Sequence, residues 1–240
     1  MEISGKDILN LLIRPGIISD TRLVEVVSTL EWPLFADSRI YDQMIITPDD
    51  TLLHVLRGFA LETLKTHLHP GNQILIVGTG AGWLPACAAL LVGELGRVIA
   101  IDSVARVEQS ISNMNKDKRL NDLIRSGNFV VRHGDGRLGE SAYQPFDAIY
   151  VDIHVPYIPQ RLIDQLAPGG KLLYPIRFND SEQTLVQIDK DLDSVVTRQD
   201  ISVFSPVELM AAKNSVAAKF FSPLCYHSEN SFTSYSHFEP

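Results

Sequence analysis

Cysteine is nearly absent. Cys87 lies inside an apolar run and Cys225 near the C-terminus, and two thiols so placed exclude a disulfide framework. This points to a reducing compartment and a cytoplasmic location. No stretch approaches the roughly 18 consecutive apolar residues of a membrane-spanning helix, and Met1 to Asn10 lack the basic start and apolar run of a secretion signal. Neither membrane insertion nor secretion is expected. Cations are outnumbered, 21 Lys and Arg against 29 Asp and Glu, and the formal net charge of -8 excludes broad electrostatic binding to nucleic acid or anionic lipid. No Ser/Gly/Pro-rich linker divides the chain, no internal repeat or low-complexity tract is present, and no His/Cys/Asp cluster has metal-ligand spacing.

With 45% hydrophobic and 21% charged residues, the chain has enough apolar material for a core and too much to be disordered. Ile8, Leu9, Leu11 and Leu12 before Pro15-Gly16 predict a short amphipathic helix, and Asp20 predicts the start of a second through Val24, Val27 and Leu30. Thr47-Pro48-Asp49-Asp50-Thr51 has the composition of a helix start, with apolar positions from Leu52 to Leu64 recurring at helical spacing; the helix should run from about Thr51 to His67. After His69-Pro70-Gly71-Asn72 strand and helix alternate. Strands are expected at Ile74–Val77, Val98–Ile101, Phe129–Arg132, Ala148–Val151 and Lys171–Pro175. Helices are expected over Ala81–Leu91, Ala105–Lys116 and Pro159–Leu166, the last closed by Pro168-Gly169-Gly170. Repeated β-α units require a mostly parallel sheet with helices on both faces, a Rossmann-like α/β fold. Leu185–Ile188 and Ile201–Phe204 alternate as antiparallel strands added at the sheet edge would. The expected organisation is one structural domain: an N-terminal helical preface over 1–70, a core over 71–206 and a C-terminal extension over 207–240.

The run Ile74-Leu75-Ile76-Val77-Gly78-Thr79-Gly80-Ala81-Gly82-Trp83 sets three glycines directly between a strand and a helix, where backbone must turn sharply and approach a ligand closely. Asp102 closes the next strand, the position from which a carboxylate accepts hydrogen bonds from ribose hydroxyls. The spacing G-x-G-x-G, rather than G-x-G-x-x-G, favours S-adenosyl-L-methionine over a dinucleotide, and the lack of a following Lys-Ser/Thr excludes a phosphate-binding P-loop. Gly134-Asp135-Gly136-Arg137 follows the third strand and supplies an acid for the adenine amino group. Expected cofactor-binding residues are therefore Gly78, Thr79, Gly80, Ala81, Gly82, Trp83, Asp102, Ser103, Asp135 and Gly136. For Trp83 two readings stand equally, packing on the cofactor or filling the base of the helix. Cys87, among Ala86, Ala88 and Ala89, reads as core.

From Ile8 to Pro206 these residues resemble the protein-L-isoaspartate O-methyltransferases. The likeness rests on Gly16-Ile17-Ile18, Tyr41-Asp42, the glycine loop, Gly134-Asp135-Gly136-Arg137 and Pro145-Phe146-Asp147-Ala148-Ile149. It is most specific over Pro156-Tyr157-Ile158-Pro159-Gln160-Arg161-Leu162-Ile163-Asp164-Gln165-Leu166-Ala167-Pro168-Gly169-Gly170-Lys171-Leu172. The resemblance implies a class I methyltransferase sheet with an N-terminal helical part, and methylation of the α-carboxylate of L-isoaspartyl residues as the start of repair through a succinimide. It implies a protein or peptide as partner, without nucleic acid or membrane, and a monomer is the favoured state. Three departures stand out. Ile76 occupies the place of an acid in the family's first motif, which removes a carboxylate near the cofactor's charged end. Ile153-His154-Val155-Pro156, preceded by Asp152, replaces a run of small residues lining the substrate site, which makes that pocket narrower and more polar. Around Thr47 to Thr51 the family's Ile-Ser-x-Pro segment is shortened and altered.

Methyl transfer to a carboxylate needs little acid-base help, because the acceptor is already ionised at neutral pH. Alignment and exclusion of water are the main task. Thr47 is the first choice for a substrate hydroxyl; Thr51 reads first as a helix cap and second as that hydroxyl. His154 reads equally as a donor to the substrate carboxylate or as a structural loop histidine. Two alternatives to isoaspartyl methylation stay open at this point: a divergent relative methylating a dedicated peptide or small acid, and a catalytically inactive module that still binds S-adenosyl-L-methionine.

Overall fold

The computed structural model describes residues 10, 12–14, 16–31, 35, 48–153, 157–179 and 182–204, with the side chains of 48–55, 176–179, 182–184 and 202–204 left undescribed. The segments holding Tyr41-Asp42, Thr47, His154, Cys225 and the 207–240 extension lie outside these residues, as does most of the first expected helix.

Short apolar runs that must be buried on both sides make parallel strands. Five such runs form β1 (Gln73–Val77), β2 (Arg97–Asp102), β3 (Phe129–His133), β4 (Phe146–Val151) and β5 (Leu166–Asn179), to which β6 (Glu182–Lys190) and β7 (Val196–Phe204) are added. All seven make one sheet in the order β3-β2-β1-β4-β5-β6-β7. Pairing is parallel from β3 through β5 and antiparallel for β5 with β6 and β6 with β7, as the alternation near the C-terminus predicts.

Alternate residues of each strand feed opposite faces. Ile74, Ile76, Val98, Ala100, Ala148 and Tyr150 pack under α1 (Thr21–Thr29), α2 (Pro48–Leu64), α3 (Trp83–Val92) and α5 (Lys118–Ser126). Leu75, Val77, Ile99, Ile101, Ile149 and Val151 pack on the other face with Leu162 and Ile163 of the short α6 (Gln160–Asp164). Between α3 and α5, α4 (Val104–Met114) follows β2 directly. Asp20 caps α1 by accepting from the N–H groups of Arg22 and Leu23. Cys87 is fully buried in α3, and burial pushes its thiol pKa far up, as expected of a core cysteine.

Two local expectations are corrected. Pro168-Gly169-Gly170 does not close a helix: α6 stops at Asp164, and the tripeptide lies inside β5. Leu166 already pairs with Phe146; the register then shifts, so that Lys171 is the next to pair, with Ala148. Gly169, at φ 79°, accommodates the bulge. The second correction is α5, which the periodicity does not announce because only Leu120 and Leu123 of its nine residues are buried. Its signals are at its ends. Asp117 accepts from Arg119 N–H at the start, and Gly127 at φ 78° closes it.

Arg119 donates to both Asp117 carboxylate oxygens and to the backbone and hydroxyl of Thr29 at the end of α1, so this cap joins two helices. Asp117→Ala is expected to lower stability by about 1 kcal/mol, read as a shift in the urea midpoint at neutral pH. The hydrogen bond from Arg119 holds the Asp117 carboxyl below its ordinary value. A depressed folded-state value means stabilisation that is complete above the unfolded value of about 3.9 and fades as pH falls through the folded one. The gap between variant and wild type should narrow below about pH 4; a gap of unchanged size in acid would place the effect elsewhere.

Candidate active site

Sheet order places the candidate site. From β1 the chain runs outward to β2 and β3 on one side, then returns to β4 and β5 on the other, so a crevice opens between the carboxyl ends of β1 and β4. The glycine loop, Asp102, Gly134 to Arg137 and Asp152 all stand at this end of the sheet. Gly78, the first residue past β1, has φ 99° and donates its N–H to Ile101 O at 2.8 Å. Gly80 and Gly82 follow at φ 53° and 103°, and Gly82 forms the N-terminal boundary of α3. These are conformations that side chains rarely adopt, and space is also closed. A Cβ on Gly78 would stand 2.7 Å from Ile153, and one on Gly82 2.6 Å from Met114.

Asp102 ties the loop down. Its Oδ2 accepts from Thr79 N at 2.7 Å, Thr79 Oγ1 at 3.0 Å and Gly80 N at 3.2 Å, while Oδ1 accepts from Ser103 N at 2.7 Å. Thr79 is buried and Ser103 exposed. The carbonyl of Ala81 receives Asn113 Nδ2 at 3.0 Å. Trp83 is buried in the core that α1, α2, α3 and α5 share on one face of the sheet. The third loop is fixed to the same place. Gly134 donates to Asp102 O at 3.1 Å, and Gly136 lies so close to β1 that a Cβ there would overlap Val77. Asp135 beside it is exposed and paired with Arg137, whose Nη2 donates at 2.7 Å; that hydrogen bond holds the Asp135 carboxyl below its usual range. Both partners face solvent, so the pair can exchange for another donor at little cost.

A second buried polar group sits across the crevice. Asp152, the first residue past β4, donates its N–H to Val77 O at 2.7 Å and accepts from Arg57 of α2, Nε at 2.8 Å and Nη2 at 2.5 Å. Tyr150 Oη donates to its other oxygen at 3.1 Å. Asp152 is therefore buried against protein, not turned to bulk solvent. Arg57 escapes periodicity-based reading, although it is the sole charge between Leu52 and Leu61, and that isolation is the signal that marks it. Of the expected catalytic residues, Thr51 lies in the first turns of α2, and Thr47 and His154 fall outside the described residues. Among the described residues no group of His, Cys, Asp or Glu could hold a metal, and no helix is long and apolar enough to cross a membrane.

The profile of the protein-L-isoaspartate(D-aspartate) O-methyltransferase family matches residues 3–211. The chain belongs to this family. Protein-L-isoaspartate O-methyltransferase 2 of Arabidopsis thaliana is 34% identical, over 80% of this chain and 64% of its own length. The Triticum aestivum protein-L-isoaspartate O-methyltransferase is 34% identical over 78% of this chain and 84% of its own. The chain spans a little under two thirds of the length of the Arabidopsis relatives. Among solved structures, a Plasmodium falciparum protein described as a protein-L-isoaspartate O-methyltransferase, in complex with S-adenosyl-L-homocysteine, superposes with a TM-score of 0.67 at 26% identity. The match covers 84% of this chain and 97% of that one. A further protein-L-isoaspartate O-methyltransferase, at 19% identity and a TM-score of 0.65, shares the fold. In this chain the glycine loop and Asp102 stand together at the end of β1, with Ile76 buried in that strand.

The fit of Gly136 on Val77 yields a packing prediction. Val77 is a stiff, β-branched residue in a central strand and cannot swing aside. Gly136→Ala should cost about 1–3 kcal/mol in urea unfolding. Gly134→Ala, whose Cβ would meet Ile101 at 3.2 Å, should cost less, and Val77→Ala should recover part of the Gly136→Ala loss in the double variant. Equal costs at 134 and 136 would mean that the contact with β1 is not the constraint.

Proposed function

We propose that this protein is an S-adenosyl-L-methionine-dependent carboxyl O-methyltransferase acting on isoaspartyl residues of proteins or peptides. Family membership over most of the chain supports the reading, as does the complex of the Plasmodium falciparum relative with S-adenosyl-L-homocysteine. The observation that carries it is the Asp102 carboxylate, wired to the glycine loop at the switch point of the sheet. The residues fit the cofactor chemically. Asp102 Oδ1 takes only one N–H, from Ser103, so it keeps acceptor capacity for a ribose hydroxyl. Gly78, Gly80 and Gly82 bring bare backbone to the end of β1, and Asp135 offers an exposed acid for an adenine amino group. Thr79, Ala81, Trp83, Ser103 and Gly136 contribute through backbone and packing, within a cofactor-binding core over 71–206.

When bound, the cofactor supplies an activated methyl group on a sulfonium. The chain's own task is to hold an ionised acceptor carboxylate in line with that group and to keep water out. No side chain has to remove a proton from the acceptor, since a carboxylate with a pKa near 4 carries its charge already. Thr47, Thr51 and His154 are the groups assigned to acceptor binding. A cytoplasmic location is part of the proposal, from the scarcity of cysteine in the sequence.

Transfer of labelled methyl from S-adenosyl-L-methionine to an isoaspartyl peptide, beside its normal aspartyl twin, tests the proposal. Label on the isoaspartyl peptide alone, released by mild base as an ester would be, is the expected result. Label on neither peptide, with the cofactor still binding, would overturn the substrate and leave the search to a small acid or to a non-catalytic role. Asp102→Ala should raise the KM for the cofactor at least about tenfold, because a hydrogen bond to a charged group contributes roughly 1.5–3 kcal/mol. The KM for the peptide should move much less.

A further inference from the structure

The Arg57–Asp152 pair has no place in the account above, and its setting points to a ligand. Charges are costly to bury, and a buried ion pair seldom stabilises a fold more than apolar residues of the same volume would. Here the side chains are only 12% and 4% exposed. They lie at the carboxyl ends of β1 and β4 rather than at the centre of the core: Asp152 is bonded through its N–H to Val77, the residue before Gly78, and a Cβ on Gly80 would stand 2.9 Å from Arg57 Nη2. The guanidinium is thus seated against the glycine loop with the carboxylate beside it.

Ile76 lies level with Tyr150 in the pairing of β1 and β4, on the same face of the sheet, and is buried. Asp152 follows Tyr150 by two residues, so it points to that face as well. Strand spacing and rise put the Cα atoms of positions 76 and 152 about 8 Å apart, within reach of one small ligand group. The carboxylate of Asp152 uses three of its roughly four acceptor positions, two for Arg57 and one for Tyr150 Oη, which leaves capacity on Oδ1. Burial, then the adjacent Asp152 charge, keeps the Tyr150 phenol protonated and donating.

A cation and an anion held together carry no net charge and attract neither a lone cation nor a lone anion strongly. They match a zwitterion, whose two charges are also a few ångströms apart. We propose that Arg57 and Asp152 receive the amino-acid end of the cofactor, with its ammonium group on Asp152 and its carboxylate on the side of Arg57, and so replace the acid absent at Ile76. The assignment rests on the cofactor reading given above and extends it to residues on α2 and β4.

Calorimetric titration with two ligands separates the roles. S-adenosyl-L-homocysteine has the amino-acid end; 5′-methylthioadenosine has the same adenosine and thioether without it. Asp152→Asn should weaken S-adenosyl-L-homocysteine binding at least tenfold and change 5′-methylthioadenosine binding less than twofold. If the melting temperature shows that Asp152→Asn does not fold, the double variant Arg57→Leu/Asp152→Leu, which leaves no buried lone charge, serves the same comparison. Equal losses for both ligands would make the pair a support for the glycine loop and overturn the assignment, as would no loss for either. If wild type binds neither ligand, the cofactor reading falls and this assignment with it. Binding of both by wild type with no selective loss overturns the assignment alone.

Discussion

Four donors converge on the Asp102 carboxylate: the N–H groups of Thr79, Gly80 and Ser103 and the hydroxyl of Thr79. A loop that turns through three glycines at positive φ cannot satisfy its own N–H groups by regular pairing, and unpaired backbone donors away from water are expensive. Charge-assisted acceptance by one carboxylate meets that need. It also fixes where the loop sits, because Asp102 ends a strand whose register with β1 is set over five paired positions. The Asp102 carbonyl extends the same anchor to the third loop through Gly134. One residue thereby sets the relative positions of the loops that follow β1, β2 and β3.

The arrangement is possible because both faces of the sheet are closed by helices. Ile76, Ala100 and Tyr150 on one face and Val77, Ile101 and Val151 on the other are all buried, so the carboxyl-end halves of β1, β2 and β4 stand in the core. Polarity begins where the strands stop, at Asp102 and Asp152. The consequence for function is that the crevice stands on a rigid apolar base, so its polar groups are held by backbone register rather than by flexible side chains.

Much of this was legible in the residues alone. The parallel core follows from apolar runs too continuous for one-sided strands, and the glycine loop with Asp102 follows from its place between strand and helix. Elements with weak periodicity were not. In α5 two buried leucines make too short a stripe to count, and only the Asp117 and Gly127 boundaries mark it. Pro168-Gly169-Gly170 has the composition of a helix end, but the pairing of Leu166 with Phe146 makes it a bulge. Proline and glycine specify a break in local geometry; tertiary pairing decides which element is broken. Arg57 was hidden for a related reason, since a single charge on an apolar helix has meaning only when its partner, 95 residues away, is in view.

That partnership bears on the substitution at Ile76. An acid at position 76, level with Tyr150 and on the face of Asp152, would set two carboxylates against one guanidinium in a buried space. Like charges so placed cannot both stay ionised without a large cost, and one would take up a proton. An apolar residue at 76 avoids that conflict beside the Arg57–Asp152 pair. The same reasoning explains why a departure inside the first motif need not weaken the crevice. On the proposed assignment the negative charge of the crevice stands one strand over, on Asp152, held by Arg57 and Tyr150.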